Sequence, residues 1–309
     1  MKTEKIIIGE GSEYPLDGIL TLPDSSAGPV PAVVLVHGSG SSDKDEKVGK
    51  LTPFKDLAEG LAVNGIASVR YDKRTFTYGR KMVKEGNITV YKETIEDAVK
   101  AADLLRKDER ISHDNIFIIG HSMGAMLAPR IDAEGGNFRG MILMAGTLRK
   151  LEDILIYQLK EISGESGFLL KMLVDAQIRK NEAMFKDLYT MSEEDTKKVK
   201  AGGGTTLYYF REMGDHPASS YLEKTEKPVL VMQGGKDVQV KKDIDYRDYQ
   251  NLLADRDNVT FRLYDDLNHL FVPSLGYPIS KLSKEYAQEQ HIPAGVIRDI
   301  ADWIRSSLN

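Results

Sequence analysis

The sequence predicts an α/β protein: a mostly parallel, eight-stranded sheet with helices on both faces. Three observations carry that expectation. Short apolar runs rich in β-branched residues alternate with helical patterns along most of the 309 residues, the rhythm of strand–helix–strand units. The run at residues 32–36 is almost purely apolar, as a strand covered on both faces must be. The rhythm breaks once, in residues 147–226, where helical patterning continues without a convincing strand.

In order along the chain, residues 5–9 and 18–22 read as two strands joined by a turn at Tyr14-Pro15-Leu16-Asp17-Gly18, an antiparallel hairpin at one sheet edge. Strand 32–36 runs into His37-Gly38-Ser39-Gly40 and a polar loop. Pro53 opens a helix that Asn64-Gly65 closes, proline early and glycine late as helices prefer. Residues 66–71 form the next strand. Ile95, Ala98, Val99, Ala102 and Leu105 recur at helical spacing. Strand 116–119, helix 123–131 and strand 141–144 follow. In the interrupting block, Leu151, Ile154, Leu155, Leu159 and Ile162 share one helical face, and Phe168, Leu169, Met172, Leu173 and Ala176 share another. Ser192 is placed to N-cap a third helix, Gly202-Gly203-Gly204 breaks the pattern, and Tyr208-Tyr209-Phe210 comes after it. Strand 229–232, helix 244–253, strand 259–263 and helix 296–304 restore the first pattern. The expected organisation is a core of residues 1–146 and 227–309 carrying a helical cap of residues 147–226.

Composition narrows the function classes. The formal net charge is −5, so no general basic footprint exists for nucleic acid or an anionic membrane. With no cysteine in the chain, thiol nucleophiles, disulfide frameworks and Cys-ligated zinc are excluded. Neither H-x-x-x-H nor H-E-x-x-H spacing occurs, so no metal is expected. After the N-terminal lysines the apolar run is Ile6-Ile7-Ile8, too short for a signal-peptide core. No stretch reaches the roughly 20 apolar residues that span a bilayer. A cytoplasmic location is the expectation.

The strongest chemical signal is Gly120-His121-Ser122-Met123-Gly124, between a strand and a helix. This is the G-x-S-x-G turn in the context that gives it meaning: a sharp strand-to-helix bend lifts a serine hydroxyl above the sheet edge. The glycines let the neighbouring strand and helix come close, and the helix N-terminus adds partial positive charge near a developing oxyanion. Serine needs a base. In the Ser, acid, His order of such a turn the base comes last, and His269, just after the final strand, lies where a loop can carry it over the sheet edge. His37 and His121 belong to other motifs, His113 precedes the serine strand, His216 lies in the block and His291 before the last helix. The acid is expected after strand 229–232, where Gln233-Gly234-Gly235-Lys236-Asp237 makes Asp237 the first carboxylate. Asp243 and Asp245 read as helix surface, and Asp265 and Asp266 stand too close to His269 in sequence. Glu152 and Asp153 are the candidates if the acid follows the preceding strand instead. The oxyanion donors are assigned to the backbone N–H groups of Met123 and Ser39. His37, Gly38 and His121 are expected to contact substrate. Arg70-Tyr71-Asp72-Lys73-Arg74 ends a strand at the same sheet edge and reads as a structural ion network rather than a pocket wall.

HGSG, the Asp-containing loop after it, the segment 68–74, GHSMG, QGGKD and Asn268-His269 together resemble bacterial carboxylesterases of the α/β-hydrolase superfamily, in the branch related to dienelactone hydrolases and bile-acid acyltransferase-like esterases. The resemblance covers the chain from Lys5 to the last helix. It implies a helical cap between the sixth and seventh core strands, action on small or short-chain acyl esters, and no cofactor. One subset of such enzymes cleaves hydroxycinnamoyl esters of plant cell walls. The expected partner is thus a small ester, with neither nucleic acid nor membrane, and an apolar face of the block allows a homodimer. The same machinery serves thioesterases, lactonases, amidases and acyltransferases. Outside enzymes, the alternative is a binding protein of this fold; such proteins usually lack a triad member, and all three candidates are present here.

Overall fold

The computed structural model describes residues 1–24 and 28–308. The central sheet holds eight strands: β1 (Lys2–Ile8), β2 (Leu16–Leu22), β3 (Val30–Val36), β4 (Ala67–Tyr71), β5 (Ile111–His121), β6 (Met141–Met144), β9 (Val229–Gly234) and β10 (Val259–Tyr264). A separate small hairpin supplies β7 (Lys200–Gly202) and β8 (Thr205–Thr206). Spatial order across the sheet is β1-β2-β4-β3-β5-β6-β9-β10. The expected hairpin β1–β2 is antiparallel and occupies one edge, and β2 also runs antiparallel to β4. The pairs from β4 through β10 are parallel.

Pleating sorts the core into two layers, because successive side chains of a strand point to opposite faces. Val33, Leu35, Phe117, Ile119, Ile142 and Met232 meet helices α1 (Pro53–Val63) and α12 (Ala294–Ser306) through Leu57, Leu61, Ile300 and Ile304. Val34, Val36, Ile118, Leu143 and Val231 meet the other layer, which includes α3 (Glu96–Arg106), α4 (Met123–Ile131) and α10 (Arg247–Leu253). The near-continuous apolar reading of β3 and β9 follows directly from this double coverage.

Between β6 and β9 the chain forms α5 (Leu151–Glu165), α6 (Phe168–Phe185), α7 (Glu193–Lys198), the β7–β8 hairpin, α8 (Leu207–Asp215) and α9 (Ala218–Leu222). Ser192 does cap α7, its hydroxyl accepting from Asp195 N–H at 3.1 Å. Two elements depart from the sequence reading. Helix α2 (Arg74–Glu85) has no place in the sequence reading: only Arg74 and Met82 are buried, and Gly86 ends it in the left-handed region. The β7–β8 hairpin lies where no strand is expected. The glycines that break the helical pattern are what turn it, with φ of 98°, 57° and 84° at Gly202, Gly203 and Gly204.

The parallel strands bring the site together. From β3 the chain steps outward to β4, then returns to β5 on the other side of β3. Such a reversal opens a crevice at the C-terminal strand ends, where open α/β sheets bind ligands. The loops after β3, β5, β9 and β10 carry Ser39, Ser122, Asp237 and His269. Among the described residues no helix is long and apolar enough to cross a membrane.

Candidate active site

Ser122 sits between β5 and α4 at φ 53° and ψ −116°, a region that costs a non-glycine residue roughly 1–3 kcal/mol. The surroundings over-determine it. Its N–H donates to Met144 O at 2.8 Å on β6, while its carbonyl accepts from Ala125 and Met126 N–H at 3.0 and 3.2 Å. The flanking glycines are sterically required. A Cβ on Gly124 would stand 2.2 Å from Val36 O, and one on Gly120 would stand 2.2 Å from Gly124 O. Both neighbours are backbone and cannot swing away.

His269 lies in the loop after β10. Its Nδ1–H donates to Asp237 Oδ2 at 2.7 Å, and both residues are buried. Asp237 is held in turn: Oδ1 accepts from Gln239 and Val240 N–H at 2.8 and 2.9 Å, and Oδ2 accepts from Gln233 Nε2 at 3.1 Å. These three donors fix the orientation of the carboxylate. Ser122 and His269 open into one pocket of about 900 Å³. The structure carries no hydrogen bond between their side chains; such contacts often tighten only when substrate binds. The N–H groups of Met123 and Ser39 face no acceptor among the described residues, and both residues line the same pocket.

Residues 28–272 match the family described as serine aminopeptidase, S33. The chain belongs to this family of hydrolases. It is also 35% identical over 289 residues to Esterase EstD of Thermotoga maritima, covering 94% of this chain and 65% of that protein. The chain therefore spans just under two thirds of that relative's length. Among solved structures it resembles Est1E from Butyrivibrio proteoclasticus at TM-score 0.56 and 14% identity, covering 97% of this chain and 99% of that one. The Pyrococcus furiosus esterase Pf2001 is similar at TM-score 0.59 and 14% identity, covering 100% of this chain and 92% of that one. These two likenesses speak for the α/β-hydrolase fold alone.

The remaining residues of this S33-family hydrolase sort by geometry. Of the competing acids, Glu152 accepts from Tyr189 OH at 2.6 Å. Asp245, read from sequence as helix surface, is fully buried and binds Arg149 through both oxygens at 2.7 and 2.9 Å. Gly38 and His121 line the pocket, but His37 does not. The His37 ring is buried with centroids 5.0 Å from Phe54 and 5.7 Å from Tyr71, and Nε2 lies 2.9 Å from Asp43 O. Burial pushes its pKa down to about 4, so it is a neutral packing residue at neutral pH rather than a substrate contact.

His121 reaches the pocket, yet its ring nitrogens are engaged. Nε2–H donates to His269 O at 2.9 Å, and Nδ1 lies 3.0 Å from Glu46 Oε2. Burial is the largest single influence and opposes charge on both groups; the partner's charge and the hydrogen bonds each group makes together outweigh it, holding His121 above the ordinary imidazole value and Glu46 below the usual carboxylate range. Glu46 Oε1 accepts from Gly38 N–H at 2.7 Å. A buried charged chain thus ties the His269 loop to the loop after β3. Glu46 drew no attention in the sequence, because nothing local distinguishes it from the Asp and Lys residues around it.

Most of the 70–74 segment is the ion network the sequence suggests. Arg70 Nε donates to Asp45 at 2.7 Å, Asp72 accepts from Lys44 N–H at 2.8 Å, and Arg74 Nε donates to Asp97 at 2.9 Å. Among the described residues no group of three or more His, Asp or Glu is placed to hold a metal ion.

Proposed function

We propose that this hydrolase is a serine carboxylesterase acting on small or short-chain acyl esters, with Ser122, His269 and Asp237 as its triad. The observation that carries the reading is the 2.7 Å Asp237–His269 pair opening into the pocket that holds Ser122 at its strained turn. His269 Nε2 takes the Ser122 proton as Oγ attacks the ester carbonyl, and Asp237 stabilises the imidazolium. The N–H groups of Met123 and Ser39 hold the oxyanion. The alcohol departs with the proton from His269, leaving an acyl-serine. Water, deprotonated by His269, cleaves it to the acid and free Ser122. In this reading residues 147–226 act as a cap: Leu151, Ile154, Leu155 and Phe210 from that block line the pocket beside Met126 and Val240 of the core.

The family description raises a second reading, cleavage of aminoacyl amides. An aminopeptidase needs a carboxylate to receive the substrate ammonium. The two glutamates lining the pocket are already engaged, Glu46 as above and Glu93 by Tyr209 OH at 2.5 Å and Thr75 Oγ1 at 2.7 Å. That favours a neutral acyl group. The volume also admits a larger acyl such as a hydroxycinnamoyl; ferulic acid has been bound to Est1E. A panel of p-nitrophenyl acetate, butyrate and ferulate, a thioester, a lactone and an aminoacyl anilide separates the classes. The expected result is kcat/KM highest on an ester and falling at least about tenfold on the anilide. Preference for the anilide or the thioester would replace the ester assignment.

A further inference from the structure

The loop after β3 is gripped from both sides at one residue. Gly38 N–H donates to Glu46 at 2.7 Å, and Gly38 O accepts from Lys73 Nζ at 2.9 Å. Lys73 is only 1% exposed. Its ammonium also stands 3.7 Å from Glu93, and its backbone N–H donates to Ser42 O at 3.0 Å. Residues 39–41 are therefore bracketed by two bonds from one lysine. Gly38 itself lies against the candidate nucleophile, since a Cβ built on it would stand 3.1 Å from Ser122 Cβ.

The geometry of the peptide gives this grip a consequence. The Gly38 carbonyl and the Ser39 N–H belong to one planar trans peptide, so they point in opposite directions. A cation bound on the carbonyl side turns the N–H the other way and fixes it there. It also polarises the amide, making the N–H a stronger donor, as hydrogen bonds in series do in a low-dielectric site.

We propose that Lys73 is a positioning residue of the oxyanion hole, holding and polarising the Gly38–Ser39 peptide so that Ser39 N–H meets the developing oxyanion, with Glu46 anchoring the preceding peptide. This rests on the reading of Ser122 as nucleophile. Lys73 needs no contact with substrate for this role. Its charge is useful because it sits on the far side of the peptide, where it strengthens the donor without competing for the oxyanion.

The test compares Lys73→Met, which keeps the length and apolar bulk of the stem, with wild type and Ser122→Ala on p-nitrophenyl acetate. Losing one oxyanion donor lowers kcat by about 100-fold, and KM is expected to stay within about threefold because ground-state binding is untouched. An acyl trifluoromethyl ketone, whose serine adduct carries the oxyanion, should lose affinity by the same factor as kcat. The corresponding methyl amide, which does not react, should bind as before. A kcat within about threefold of wild type, or parallel weakening of KM and both ligands, would overturn the proposal and leave Lys73 a structural residue. Where Lys73→Met fails to fold because Glu93 is left buried beside an apolar side chain, Lys73→Met/Glu93→Gln carries the same comparison. If Ser122→Ala is inactive while Lys73→Met is unimpaired, only the Lys73 assignment falls. If Ser122→Ala retains turnover, the nucleophile assignment falls and takes this proposal with it.

Discussion

Ser122→Ala is expected to lower kcat for ester hydrolysis by about 10⁴–10⁶-fold. At the middle of that range the loss is about 7 kcal/mol of transition-state stabilisation. Other hydroxyls line the pocket, Ser39 and Thr147 among them, but of the described hydroxyl residues there Ser122 alone stands at the positive-φ turn that opens a helix, and the neighbouring His121 ring is committed to Glu46 and to His269 O. The fold should be indifferent to the change. The Ser122 hydroxyl makes no hydrogen bond among the described residues, and the strained φ of 53° is shared by serine and alanine alike. The bonds that hold the turn come from its backbone. Thermal unfolding should therefore shift by no more than the roughly ±0.5 kcal/mol typical of a substitution that breaks no special feature. Rate assays beside a melting curve check both halves.

Asp237→Asn should be the next most damaging single change, lowering kcat at neutral pH by about 10⁴-fold. The hydrogen-bond arrangement explains why an isosteric amide fails. Asp237 Oδ1 receives two backbone N–H groups, so the amide oxygen of an asparagine would take that side. Its NH₂ would then face His269 Nδ1 and Gln233 Nε2, where the carboxylate accepts from both. Two donors would meet at Gln233. At His269 the amide would favour the tautomer with Nδ1 as acceptor and the proton on Nε2, the atom that must take the serine proton. Measuring kcat across pH for wild type and variant checks this. A variant within tenfold of wild type would move the acid elsewhere, with Glu152, bonded to Tyr189, already a poor alternative.

Much of this arrangement is legible along the chain, for identifiable reasons. Glycines at 120 and 124 mark the turn because any side chain there would strike backbone. Asp237 can be found because parallel strands deliver their loops to one edge, so the carboxylate after β9 and the histidine after β10 arrive side by side. The inner strands β3, β6 and β9 are visible because both their faces are covered. What stays hidden depends on distant partners. Helix α2 buries only two residues, and one of them is Arg74 against Asp97. Asp245 looks like helix surface until Arg149, 96 positions away, is found against it. His37 sits in a motif beside the pocket, yet its ring turns into the core. Glu46 and Lys73 belong to polar segments that look solvent-facing, and only the folded chain shows both closing on Gly38.

The most direct test of the central claim, that Ser122 is an activated nucleophile, is reaction of the folded protein with a fluorophosphonate followed by peptide mass mapping, run beside Ser122→Ala. One phosphonylated peptide is expected, modified at Ser122 and lost in the variant. Labelling at another residue, or no labelling of a wild-type protein shown to be folded, would contradict it and shift weight to a binding protein built on this fold.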